Sequence, residues 1–188
     1  MPPPCALLLS ASPEEKEGSL VHVASTTLLE AHVGALRRAQ VAEIAIAWAG
    51  EAHEVPPGCG SVTVVLQPDW RATMFDSLVL GLFALGRGPV LVLPSTNDLV
   101  DDDTLEILVA ETQDAPDAMA IVPRYGDQHG HPVALSWEAI EAVVRDAVDP
   151  HGIHRLDRLL AHWPRVRPVD VSDEAVTRTF PRIDPRPG

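Results

Sequence analysis

Continuous apolar runs alternate along the chain with segments whose apolar residues recur every three or four positions. Cys5–Ala11 is almost wholly apolar, which predicts a first strand buried on both faces. Ser12–Gly18 is polar and acidic and reads as a loop. Leu28, Leu29, His32, Val33 and Leu36 fall at helical spacing and predict a helix from Leu28 to Ala39, with Ser25, Thr26 or Thr27 as its N-cap. Val41–Trp48 and Val62–Leu66 read as the next two strands, separated by the turn-forming Pro56-Pro57-Gly58-Cys59-Gly60. Met74, Leu78, Leu82 and Leu85 form one face of a helix over Ala72–Leu85, and Pro89–Leu93 is a fourth strand. Asp101-Asp102-Asp103-Thr104 opens a helix reaching about Glu111. Ala118–Val122 and Pro132–Leu135 are further strands, Ser136 caps a helix through Val148, Ile153–Trp163 is helical, and Val166–Val171 is a last strand.

Strands spaced by helices of this length imply right-handed βαβ units around a mainly parallel sheet. The expected architecture is therefore one Rossmann-like, three-layer α/β domain over residues 1–171. Residues 172–188 are polar, turn proline-rich, and are expected to form a loosely ordered tail. Ligands of such sheets bind beyond the carboxyl ends of the strands, so the loops after Ala11, Leu66 and Leu93 are the ones to inspect.

Composition narrows the partners. The 188 residues carry a formal net charge of -13, a field that disfavours nucleic acid and anionic membranes. It also opposes nucleoside triphosphates unless a local cation or a divalent metal intervenes. Cys5 and Cys59 form no CxxC pair and read as buried free thiols. Cys5–Ala11 is too short to cross a membrane and lacks a basic leader, so a cytoplasmic protein is expected.

The most specific segment is Gln67-Pro68-Asp69-Trp70-Arg71-Ala72-Thr73-Met74-Phe75-Asp76-Ser77-Leu78-Val79-Leu80-Gly81-Leu82. It resembles the N-P-x-W-x-x-G-M-x-x-S-L-x-x-G-L signature of the molybdenum-cofactor nucleotidyltransferases, with Gln67 for Asn and Thr73 for Gly. Gly130-His131-Pro132-Val133 is similar to the family's G-H-P-V segment on the cofactor side. The strand Val90–Leu93 and its loop resemble the region of the metal-binding L-A-D-Q-P motif, and Ile183-Asp184 resembles the closing I-D-T-P. The resemblance implies a nucleotide-diphospho-sugar transferase type of fold. It implies transfer of a nucleoside monophosphate from a triphosphate to a phosphorylated cofactor or metabolite, assisted by Mg²⁺. It places Ser12, Lys16, Gln67, Trp70, Met74, Ser77 and His131 at the ligand, and Asp98 and Asp184 at the metal.

The same comparison exposes departures. The family's first loop, L-A-A-G-x-S-x-R-M-G-x-x-K, offers glycine N–H groups and two cations to a triphosphate. Here Ser12 stands at the first glycine, Pro13 lacks an N–H, and Glu14, Glu15 and Glu17 add negative charge. Lys16 and Gly18 match the Arg and the second Gly, and the later Lys has no counterpart. Thr96 falls at the metal-binding Asp, and a hydroxyl is a poor Mg²⁺ ligand beside a carboxylate; Asp98, two residues on, is the substitute. Asp98, Asp101, Asp102 and Asp103 read better as a helix N-terminus than as a metal cluster. His129, His131, His151 and His154 lack zincin spacing, and no G-x-S-x-G elbow accompanies Ser10 or Ser12. Leu156, Leu159, Leu160 and Trp163 form a stripe suited to core packing or a protein partner. Three readings follow: an active nucleotidyltransferase, a non-catalytic relative serving as a binding or assembly module, or a changed reaction in the old pocket.

Overall fold

The computed structural model describes residues 3–10, 12–69, 72–85 and 88–180. Strand β1 (Cys5–Ser10) lies at the centre of a mixed sheet because its residues suit two apolar layers at once. Cys5, Leu7 and Leu9 enter one hydrophobic cluster, and Ala6 and Leu8 the other. This is the period-2 alternation of a strand covered on both faces. It runs parallel to β4 (Ile44–Trp48) on one side and to β6 (Val90–Pro94) on the other. The central position expected of the first strand is thus observed.

The remaining strands are β5 (Thr63–Leu66), β7 (Ala120–Tyr125), β8 (Gln128–His129), β9 (Val133–Leu135) and β10 (Val166–Asp170). Their order across the sheet is β10-β7-β9-β6-β1-β4-β5, with β8 paired to β7. Strand β9 runs antiparallel to both β6 and β7, so the sheet is mixed although mainly parallel. A two-stranded hairpin, β2 (His22–Val23) with β3 (Thr26–Thr27), precedes the second helix.

Helices α2 (Leu28–Arg38) and α4 (Asp102–Asp114) cover one face through Leu29, Val33, Leu36, Leu105 and Leu108. Helices α3 (Met74–Ala84), α5 (Trp137–Val148) and α6 (Leu156–His162) cover the other through Phe75, Leu78, Leu82, Ile140, Val143 and Leu159. Leu156, Leu160 and Trp163 pack against that second cluster, so the α6 stripe is core packing. The molecule is one α/β domain of three layers. Both cysteines are buried free thiols, and no helix among the described residues is long and apolar enough to cross a membrane.

Two expectations change. The segment after β1 is not a loop: Pro13–Ser19 is a helix, α1, with Ser12 as its N-cap. Pro13 sits in its first turn, where a missing N–H costs nothing and a fixed φ helps. The C-terminal segment, through residue 180, is docked rather than loose. Val176 is fully buried, Thr179 bridges to Asn97, and the Phe180 N–H donates to the Thr96 carbonyl at 2.8 Å.

One close approach fixes how α3 meets the sheet. A β-carbon at Gly81 would lie 2.7 Å from Leu7 Cδ2 and nearer still to Cδ1. Leu7 is fully buried in the core beneath the helix. Alanine favours a helix over glycine by about 1 kcal/mol, but overpacking a closed core costs about 1–3 kcal/mol. Gly81→Ala is therefore expected to lower stability by about 1 kcal/mol and the melting temperature by about 2–4 °C. A rise in melting temperature would show that the helix can shift off β1.

Candidate functional site

The carboxyl ends of β1, β6 and β7 open into a cavity of about 660 Å³ beneath the starts of α3 and α6. Its walls are mostly apolar: Leu9, Phe75, Leu78, Val92, Val122 and Leu160 among them. Polar groups come from Thr73, from His129 and His131 around β8 and β9, and from His154, Arg155 and Asp157 at α6. The Phe75 and His154 rings stack with centroids 5.9 Å apart. His154 is held by its Nε2, 3.0 Å from the Asp146 carbonyl and 3.1 Å from that of Asp149. Arg155 is paired with Asp157, Nη2 to Oδ2 at 2.8 Å and Nε to Oδ1 at 3.1 Å. Burial pushes the His131 imidazole below its ordinary pKa, partly offset by the Val92 backbone, so the ring is neutral at pH 7.

Of the residues named from sequence, Met74 and His131 line this cavity. Ser77 does not: it is fully buried in the first turn of α3, where its hydroxyl accepts from Gln67 Nε2 at 3.1 Å and donates to the Thr73 carbonyl at 3.3 Å. Gln67 is therefore turned toward Ser77 rather than into the cavity. Trp70 and Asp184 lie outside the described residues.

Ser12 and Lys16 sit elsewhere, on α1. The Ser12 hydroxyl accepts from the Glu15 N–H at 3.1 Å, and the Glu15 carboxylate accepts from the Ser12 N–H at 3.0 Å. This reciprocal capping box uses up donors that a helix start would otherwise offer an anion. Lys16 Nζ is 2.7 Å from Glu54 Oε2 and 5.6 Å from the centroid of the buried Trp48 ring. The start of α3 repeats the device. Thr73, at the position where the resemblance expects glycine, accepts from the Asp76 N–H at 3.2 Å. The Asp76 carboxylate takes the Thr73 N–H at 2.7 Å and the Thr73 hydroxyl at 2.8 Å.

The loop after β6 is also committed internally. The Thr96 carbonyl accepts from Phe180, and a β-carbon at Gly18 would lie 2.8 Å from the Thr96 methyl, so α1 packs directly onto this loop. Asp98 is half-buried; its carboxylate accepts from the Leu99 N–H at 2.9 Å and its own N–H donates to the Arg178 carbonyl. Asp101 caps α4 by accepting from Thr104 N–H at 2.7 Å, and Asp102 pairs with Arg38 at 2.7 Å. No group of three or more His, Cys, Asp or Glu side chains among the described residues is arranged to hold a metal. At the loop after β6 Asp98 offers a carboxylate and Thr96 only a hydroxyl, a poor ligand for a hard divalent cation; Asp184, the other carboxylate expected at a metal, lies outside the described residues.

Three features were missed in the sequence: Glu54 as the partner of Lys16, the Phe75–His154 wall, and the Arg155–Asp157 pair. Arg155-Leu156-Asp157 sits close in sequence and was open to recognition; the other two join residues far apart along the chain.

The chain is a three-layer α/β domain with an antiparallel strand, β9, set inside a mainly parallel sheet and a cavity at the strand ends. The chain belongs to the MobA-like NTP transferase domain family, whose model matches residues 16–166. Among solved structures it is similar to Rv0371c from Mycobacterium tuberculosis H37Rv, with TM-score 0.73 and 22% identity over 89% of this chain and 88% of that one. A second structure of that protein, a complex with manganese, matches with TM-score 0.72 and 22% identity over 90% of this chain and 88% of that one. A CMP:2-keto-3-deoxy-manno-octonic acid synthetase complexed with CTP matches with TM-score 0.71 at 12% identity, over 90% of each chain. At these identities the likeness to solved structures establishes the fold. Comparison with curated proteins finds no match.

Proposed function

We propose that this chain is a small-molecule-binding member of the family, a binding or assembly module whose triphosphate side is closed. The observation that carries this reading is the pair of capping boxes at α1 and α3, Ser12 with Glu15 and Thr73 with Asp76. A triphosphate needs open N–H groups and a free cation where these carboxylates already lie. Displacing a capping carboxylate gives up about 1 kcal/mol of helix stability and leaves the carboxylate beside the incoming phosphates. Lys16, the one cation the resemblance carries over, is engaged by Glu54. The competing reading is nucleotidyl transfer from a triphosphate to a phosphorylated acceptor such as the molybdenum cofactor, with Mg²⁺. It requires those donors, that cation and a carboxylate at Thr96.

A thermal-shift titration tests the choice. At 1 mM, a nucleotide bound with a Kd of about 10 μM would stabilise the protein by about 2.7 kcal/mol, raising the melting temperature by about 5–11 °C. CTP, GTP and ATP, each with Mg²⁺ or Mn²⁺, are expected to move it by less than about 2 °C. A shift of the larger size with any of them would restore the transferase reading.

A further inference from the structure

We infer that the 660 Å³ cavity takes a neutral, largely apolar ring compound rather than a phosphorylated one. The inference rests on the binding-module reading and names the ligand class of its site. The volume lies in the range of small-molecule sites, and walls of Leu, Val and Phe reward removal of apolar surface from water. The stacked Phe75 and His154 rings present a flat surface suited to another ring.

Among the described lining residues, charge disfavours an anion. The Arg155 guanidinium on the cavity lining already holds the Asp157 carboxylate through two hydrogen bonds, so the pair brings no net positive charge. His131 is held neutral by burial. The Thr73 N–H at the cavity edge is given to Asp76. Around this, the chain's net charge of -13 disfavours anions over the whole surface. A neutral ligand meets none of these penalties, and His131, whose Nδ1 is buried without a hydrogen-bond partner, leaves a polar atom to orient it.

Two fluorescent probes that differ by one sulfonate separate the alternatives: neutral N-phenyl-1-naphthylamine and anionic 8-anilino-1-naphthalenesulfonate. The neutral probe is expected to bind one per chain and at least about tenfold more tightly, a difference of about 1.4 kcal/mol. Ala161→Trp adds bulk to the lining from an exposed position on α6 and should weaken the neutral probe about tenfold or more. Phe83→Ser, on the exposed patch between α3 and α5, should leave it unchanged. Asp157→Asn frees Arg155 and should improve binding of the sulfonate, narrowing the ratio. Equal or tighter binding of the sulfonate to the unmodified chain would overturn the inference. Binding of the neutral probe that survives Ala161→Trp but falls with Phe83→Ser would overturn it too. Neither result touches the binding-module reading, which fails only if a nucleoside triphosphate binds.

Discussion

Between pH 6.5 and pH 4 the protein is expected to lose about 3 kcal/mol of stability through one side chain, His32. His32 lies on α2 and is 2% exposed, with Nε2 3.0 Å from the Asn97 carbonyl. Burial depresses its pKa from 6.5 to about 4, outweighing the opposing pull of the Asn97 carbonyl and the Asp98 charge. The folded state therefore resists a proton that the unfolded chain accepts below pH 6.5. The contribution is fully present above pH 6.5, declines as pH falls, and is gone below pH 4. The carboxylates held low by their partners, such as Glu30 and Asp102, act in the same direction in more acidic solution. The loss corresponds to a fall of about 6–12 °C in melting temperature. His32→Gln, measured beside the unmodified chain at pH 7, 5.5 and 4.5, should show a clearly shallower decline. Equal slopes would mean that His32 is not the group that titrates. Asn97 also donates from Nδ2 to the Ala175 carbonyl at 3.2 Å, so amide exchange in residues 174–180 should quicken first in acid.

Opening the phosphate side by two substitutions is expected to raise affinity for a nucleoside triphosphate about tenfold or more. Glu15→Arg removes the carboxylate that occupies the Ser12 N–H and places a cation at the start of α1. Glu54→Gln releases Lys16 from its ion pair. Each change replaces a repulsive charge near the phosphates, and at an effective dielectric of about 20 a charge pair 6 Å apart interacts by roughly 3 kcal/mol before screening. Solvent and salt reduce this to a fraction, which still leaves a tenfold effect from two sites. The gain should shrink as salt rises. The variant loses one cap, so its melting temperature should fall modestly. If the double variant binds CTP, GTP and ATP no better than the unmodified chain, the two carboxylates are not what closes the site.

Much of the fold was legible because its signals are local. The unbroken apolarity of Cys5–Leu9 specifies a strand with two covered faces, and β1 alternates between the two clusters accordingly. Thr27, Asp101 and Ser136 cap the helices whose starts their side-chain chemistry marks. Helix α1 was equally legible: Ser12-Pro13-Glu14-Glu15 is an N-cap, a first-turn proline and a glutamate at the third position. Likeness to a glycine-rich loop hid it. The antiparallel direction of β9 was not legible, since the period of a strand carries no sense of direction. The site was less accessible still. Lys16 and Glu54 are 38 residues apart, and Phe75 meets His154 across two elements, so only the folded chain brings them together. Ser77 ties the start of α3 to the Thr73 carbonyl, and its full burial there leaves it no exposed surface for a ligand.

Isothermal titration calorimetry of the unmodified protein with CTP, GTP and ATP, with and without Mg²⁺ or Mn²⁺, bears most directly on the closed triphosphate side. The capping boxes at α1 and α3 and the Lys16–Glu54 pair predict no binding tighter than about 1 mM, equivalent to about 4 kcal/mol, for any of the three. Low-micromolar binding of one nucleotide, dependent on the metal, would contradict the account and identify the chain as a working nucleotidyltransferase.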